Sequence, residues 1–108
     1  MMSDVIQGGL AGSTWLPTET KGLDYAVLRP QPGGGATIFL RFAKGVHGAE
    51  HTHPGGEELY VVAGDITIGG KRLAAGDYLY TPPGAAHAAD AHEETVLLVS
   101  LPKLPVFL

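Results

Sequence analysis

The sequence predicts an all-β protein, a closed barrel or jelly roll of short antiparallel strands, and three observations predict it. Glycine (16 residues) and proline (8 residues) recur as punctuation along a chain of 108 residues. Between them lie short runs rich in Val, Ile, Leu, Tyr and Phe, the signature of strands bounded by turns. No segment of ten or more residues keeps apolar side chains at the i, i+3, i+4, i+7 spacing of an amphipathic helix. A small chain of short strands must dispose of its unpaired edges, and a barrel or jelly roll does so.

Residues 1–12 contain Gly8, Gly9 and Gly12 and read as a flexible amino-terminal segment. Packing is expected to begin near Trp15 and Leu16, with a single domain over 13–108. Strands are then expected at 24–29 (DYAVLR), 36–42 (ATIFLRF), 57–62 (EELYVV), 65–68 (DITI), 77–80 (DYLY) and 95–101 (TVLLVSL). The turns between them are QPGGG at 31–35, HPGG at 53–56, the glycine sites around Gly64, Gly69 and Gly76, and PPG at 82–84. Leu59, Tyr60, Val61 and Val62 are apolar on both faces of their strand, which suits one face in a core and the other under a second sheet or a partner subunit.

Composition narrows the function. Hydrophobic residues are 44% and charged residues 17% of the chain, as in a globular domain. Seven basic and eleven acidic residues give a net charge of -4, and no window gathers the basic ones into a patch for phosphate. Nucleic acid is not an expected partner. Without cysteine there is no disulfide, thiolate metal site or cysteine nucleophile, so any metal must be held by nitrogen and oxygen. The start, MMSDVIQGGLAGSTWL, lacks the basic lead and apolar core of a signal peptide, and no segment approaches a membrane span. The expectation is a cytoplasmic protein with no membrane partner.

The stretch HTHPGGEELYVVAG, from His51, concentrates the chemistry. In an extended strand residues i and i+2 share a face, so His51 and His53 present two imidazoles side by side. Glu57 follows across the PGG turn and can bring a carboxylate back to the same face. Two histidines and a carboxylate suit iron, manganese, nickel, cobalt, copper or zinc, with positions left open for oxygen or substrate. A fourth candidate, His87, follows TPPGAA, where two prolines and Gly84 set the direction in which the histidine starts a new strand. Imidazole must be neutral to bind a metal, so binding is expected to fade below the free histidine pKa of about 6.5.

These spacings resemble the two signatures of the cupin superfamily. In the first, Gly45 is followed after five residues by His51-x-His53, after three more by Glu57 and after six more by Gly64. In the second, Gly76 is followed after five residues by Pro82-x-Gly84 and after two more by His87; the asparagine usual at the end is Ala91 here. The resemblance covers about Trp15 to Leu101 and implies a double-stranded β-helix, the jelly-roll cupin barrel. It also implies that His51, His53, Glu57 and His87 are four ligands of one divalent transition metal per chain, such as zinc, iron, manganese or nickel. HTHPGGEE, GDYLYTPPGAAH, TWLP and KGLDYAVLRPQPGG look most like the cupin domain of ChrR-type anti-sigma factors and its stand-alone relatives. The amino-terminal zinc module that grips the sigma factor in those proteins uses cysteine ligands, which this chain lacks.

The resemblance implies a ligand- or metal-responsive binding or sensor module. The alternative is a metal-dependent dioxygenase-type oxidoreductase on a small organic molecule; catalytic residues are not assigned. Glu58 competes with Glu57 as a ligand, and the six-residue gap to Gly64 favours Glu57. His47 and Glu50 read as solvated residues of a connection, and His92, beside Glu93 and Glu94, as a solvated turn. Tyr60, Tyr78, Tyr80, Phe39 and Arg41 are candidates for a pocket, although aromatics on strands more often serve core or interface, and one bulge would reverse which way each points. A homodimer is expected from the strands apolar on both faces and from the carboxyl-terminal run LPKLPVFL.

Overall fold

A computed structural model describes residues 4–107 as eleven strands in two antiparallel sheets, without a helix among the described residues. The strands are β1 (Leu16–Pro17), β2 (Leu23–Pro30), β3 (Ala36–Phe42), β4 (His47–Thr52), β5 (Glu57–Ala63), β6 (Asp65–Ile68), β7 (Lys71–Ala74), β8 (Tyr78–Thr81), β9 (Ala86–Ala91), β10 (Thr95–Leu101) and β11 (Val106–Phe107). One sheet has the order β1-β2-β3-β10-β5-β8 and the other β11-β4-β9-β6-β7.

The pairing is that of one long hairpin wound on itself. The arm β3-β4-β5-β6 runs against the arm β10-β9-β8-β7, so β3 pairs β10, β4 pairs β9, β5 pairs β8 and β6 pairs β7. Successive pairs fall alternately in the two sheets, and β10–β5 and β9–β6 ladders knit each sheet together. This is the double-stranded β-helix expected from the sequence.

Alternation along the strands builds the core. On β10 every second residue, Thr95, Leu97, Val99 and Leu101, is buried, and on β5 so are Glu57, Leu59 and Val61. Of these, Leu59, Val61, Leu97, Val99 and Leu101 join Ile66, Ile68 and Leu73 of the opposite sheet with Ile38, Phe42, Ala89 and Ala91. At the end of β5, Gly64 holds φ of 105°, and a Cβ there would collide with the Glu94 carbonyl and with Thr95, so only glycine closes this bend without strain.

The six expected strands are present; the strand expected around His51 is β4, which ends at Thr52 and leaves His53 just beyond it, the strand expected from His87 is β9, and the structure adds β1, β7 and β11. His47 and Glu50 therefore lie on a strand, β4, and not in a connection. Their segment, HGAEHT, and its partner AHAADA on β9 carry few β-branched or aromatic side chains; mutual pairing makes them strands where propensity does not. The carboxyl-terminal run, read as surface seeking a partner, extends its own sheet: Val106 pairs Thr52 and Phe107 pairs His51, while Leu108 lies outside the described residues. Among the described residues no helix is long and apolar enough to cross a membrane.

Candidate metal centre

Both sequence motifs end at the same place in the fold. In the β4–β9 ladder Gly48 lies opposite Ala89 and His51 opposite His87, so β4 spends three steps where β9 spends two. The extra residue is a bulge at Ala49–Glu50. It reverses the alternation of β4, leaving His47 on the outer face and turning His51 inward to stand beside His87. The bulge carbonyl of Ala49 also accepts a hydrogen bond from His51 Nδ1 at 2.7 Å, which sets the tautomer with Nε2 as the acceptor nitrogen.

Beyond β4 the chain turns at His53. The Gly56 amide, at φ of 79°, donates to the His53 carbonyl at 2.9 Å, and the Gly84 amide of the second motif reaches the same oxygen at 3.4 Å. One carbonyl thus ties together the turns that deliver Glu57 and His87. Glu57 opens β5 opposite Thr81 of β8. The next inward positions, Leu59 after Glu57 and Ala89 after His87, belong to the hydrophobic core, so the four side chains cap one end of it.

His51, His53, Glu57 and His87 each direct one nitrogen or oxygen into a common space, with these atoms within 4.8 Å of one another. His53 Nε2 stands 3.2 Å from His87 Nε2 and 3.4 Å from Glu57 Oε2, and His87 Nε2 lies 3.5 Å from Glu57 Oε1. Donors about 2.1 Å from a tetrahedral ion are separated by about 3.4 Å, so these spacings are those of ligands around one centre. The rings meet edge to face: His51 and His53 have centroids 4.5 Å apart at 85°, and His51 and His87 4.9 Å apart at 89°.

Burial sets the charge. His53, Glu57 and His87 are 1%, 5% and 8% exposed, and His51 is half-buried. Loss of water, reinforced by the neighbouring His51 and His87, lowers the His53 pKa to about 4; burial and then His51 lower that of His87 to about 4. Burial raises Glu57 to about 7. The two imidazoles are therefore neutral at physiological pH, with lone pairs available, and their approaches to Glu57 are not ion pairs. His53 Nδ1 and Glu57 Oε1 are buried without a hydrogen-bond partner among the described residues. Neutral imidazoles, a carboxylate short of partners and convergent donors all fit a divalent cation.

Thr81, which the sequence reading passed over, adds to the site. It is buried at the end of β8, and its hydroxyl shares a hydrogen bond of 3.3 Å with His87 Nδ1, orienting Nε2 toward the common space. The only local signal for it is its position just before PPG.

The other candidates lie elsewhere. Glu58 is exposed on the outer face and accepts a hydrogen bond from the Tyr78 hydroxyl at 2.8 Å. His47 Nδ1 donates to Asp90 at 2.7 Å on the outside of the other sheet, Glu50 is exposed in the bulge, and His92 shares a hydrogen bond of 2.6 Å with Thr67. Tyr60, Tyr78 and Tyr80 point outward, and Phe39 and Arg41 pack against Trp15. None of these joins the four-residue cluster.

Comparison with known proteins agrees with this architecture. The family model described as the ChrR cupin-like domain matches residues 6–104. An RmlC-like cupin from Shewanella frigidimarina superposes with a TM-score of 0.70 at 25% identity over 90% of this chain and 88% of that chain. A chain in the Rhodobacter sphaeroides complex of SigE with the anti-sigma ChrR matches with a TM-score of 0.72 at 25% identity over 84% of this chain, and the match spans 49% of that chain. An acetylacetone dioxygenase from Acinetobacter johnsonii shares the fold, with a TM-score of 0.75 at 16% identity over 99% of this chain and 75% of that chain. No curated protein matches the sequence.

Proposed function

Because the chain belongs to the ChrR cupin-like domain family, we propose that it is a metal-responsive binding module in which His51, His53, Glu57 and His87 hold one divalent transition ion. The observation that carries this reading is the burial of a carboxylate and two neutral imidazoles around one space. Such a group is costly to bury alone and is stabilised by a cation. Zinc, iron, manganese and nickel all suit nitrogen and carboxylate ligands. A bound ion would supply a Lewis-acidic centre with one or two further positions for water or a small ligand. The protein's part is to fix the donors: the Ala49 bulge aims His51, Thr81 orients His87, and the His53 carbonyl locks the two turns.

The module acts as a homodimer, a reading supported by outward-facing Val96 and Leu98 on β10, the strand whose other face fills the core. A second reading, a dioxygenase on a small organic substrate, draws on half-buried His51, which leaves the cluster less covered on that side. The two readings part at the open positions, since an enzyme needs room there for substrate as well as oxygen, whereas a sensor needs only occupancy.

Elemental analysis of protein purified without added metal tests the site. About one ion per chain is expected, lost in His53→Ala; protein that is metal-free even after incubation with all four ions overturns it. Oxygen uptake by the separately loaded forms, against β-dicarbonyl, flavonol and small thiol compounds, separates the readings. Turnover with iron or nickel, absent with zinc and abolished by His53→Ala, would replace the module by the enzyme.

A further inference from the structure

The outer face of the six-stranded sheet is covered at one end and exposed at the other. Over β3 the chain covers itself: Trp15 and Phe39 have ring centroids 6.3 Å apart, and the Arg41 guanidinium lies 4.1 Å from the centre of the Trp15 ring. Over β5 and β8, Tyr60, Tyr78 and Tyr80 are 46%, 56% and 53% exposed. Strand register places Phe39, Leu98, Tyr60 and Tyr78 in one row across the sheet and Thr37, Ser100, Glu58 and Tyr80 in the next. A groove bordered by Tyr60, Tyr78, Leu98 and Glu58 runs over these rows.

We propose that this tyrosine face is where two copies of the chain pair, the back of one β5–β8 sheet against the back of the other. The inference rests on the homodimer reading above and says which surface forms it. Charge permits a second copy as the occupant. Each chain carries a net charge of -4, so two copies repel unless they meet through a face with little charge of its own. The two rows contain a single carboxylate, Glu58, and it is already hydrogen-bonded to the Tyr78 hydroxyl. A basic partner would be drawn instead to the acidic remainder of the surface.

Size and chemistry agree. A half-exposed tyrosine offers roughly 100 Å². Three of them with Leu98, Val96 and the row ends present roughly 500 Å² per copy, hence about 1,000 Å² in a pair, where specific interfaces begin. Tyrosine is enriched at the centre of such interfaces. Hydroxyl donors and a carboxylate acceptor on the same face form a set that a two-fold axis makes complementary to itself.

The test is sedimentation velocity of the whole chain from 1 to 100 μM, with two kinds of variant. Wild type is expected to be a dimer, and Tyr60→Lys/Tyr78→Lys to weaken pairing at least 100-fold while metal content and circular dichroism stay unchanged. Should the double variant fail to fold, the absence of cysteine provides a second route. Tyr78→Cys is expected to be captured as a covalent dimer by a short bismaleimide, and Arg72→Cys on the opposite sheet to pair without being cross-linked. A wild-type monomer at 100 μM overturns the dimer and this face together. A wild-type dimer that survives the lysines, or in which position 78 fails to cross-link, overturns the face and leaves the dimer standing.

Discussion

Glu57 and Glu58 are consecutive on β5 and face opposite sides of the sheet: Glu57 is buried 3.4 Å from His53 Nε2, and Glu58 is exposed and bonded to the Tyr78 hydroxyl at 2.8 Å. The same substitution at the two sites should therefore have opposite meaning. Glu57→Gln removes the anionic ligand and is expected to weaken metal binding by at least about 100-fold, the most that loss of a ligand's hydrogen-bond partner costs such sites. Glu58→Gln should leave affinity within about two-fold, the level of an exposed substitution. Because burial raises Glu57 to about 7, its charge is a cost to the metal-free fold at pH 8. Glu57→Gln should then melt higher than wild type without metal and lower with it. Equal melting shifts for the two variants, read by calorimetry, would remove Glu57 from the site.

Proton release on metal binding follows from the same burial. In the metal-free fold His53 and His87 lie at about 4, below the ordinary 6.5, so the unfolded chain takes up protons first and stability falls as pH drops from 6.5 toward 4. Glu57 has the opposite sign: the fold keeps a proton the unfolded chain has lost, so stability falls as pH rises from 4.5 to about 7. A metal needs neutral histidines and an ionised glutamate. At pH 6 binding should therefore expel about one proton from Glu57 and almost none from His53 and His87, and at pH 8 almost none from any of the three. Titration calorimetry in two buffers of different ionisation enthalpy counts it. More than two protons at pH 6 would mean that His53 and His87 carry them. Stabilisation by metal, measured against a chelator, should grow from pH 5 to pH 8.

The fold and the cluster were legible where the signal is local, and obscure where it depends on pairing. His51-x-His53 and the gap to Glu57 are strand and turn spacings, readable along the chain. The bulge at Ala49–Glu50 is not, because it is defined by what β9 places opposite, yet it decides that His51 faces in and His47 out. The extents of β4 and β9 were obscure for a related reason. Apart from Thr52 their residues are histidines, alanines, glycine and acids, so composition does not announce a strand. Thr81 was missed because its partner His87 lies across the PPG turn.

Thr81 should matter to the metal and little to the fold. Its hydroxyl fixes the orientation of His87 through Nδ1. Thr81→Val keeps the β-branched shape and removes the hydroxyl, so affinity is expected to fall about ten-fold, the lower end for a partner of a ligand. Thr81→Ser should restore most of it. Cobalt absorption spectra provide the readout, since a loosened His87 alters the bands of the bound ion. Unchanged affinity and spectrum in Thr81→Val would assign Thr81 to packing alone.

Gly64 and Gly76 are motif positions that bind nothing, and they separate backbone strain from collision. Both have positive φ, 105° and 93°. A Cβ at Gly76 meets open space, whereas one at Gly64 runs into the Glu94 carbonyl and Thr95, which bonds the Asp65 amide at 3.1 Å. Gly76→Ala should therefore cost only the left-handed conformation, about 1 kcal/mol, and lower the melting temperature by roughly 4–8 °C. Gly64→Ala adds the collision with backbone that cannot move aside, and should cost at least about twice as much. Metal stoichiometry should remain that of wild type in Gly76→Ala, because this position lies away from the four ligands. Equal melting temperatures for the two variants would mean that the bend after β5 relaxes, and that the glycine there serves conformation only.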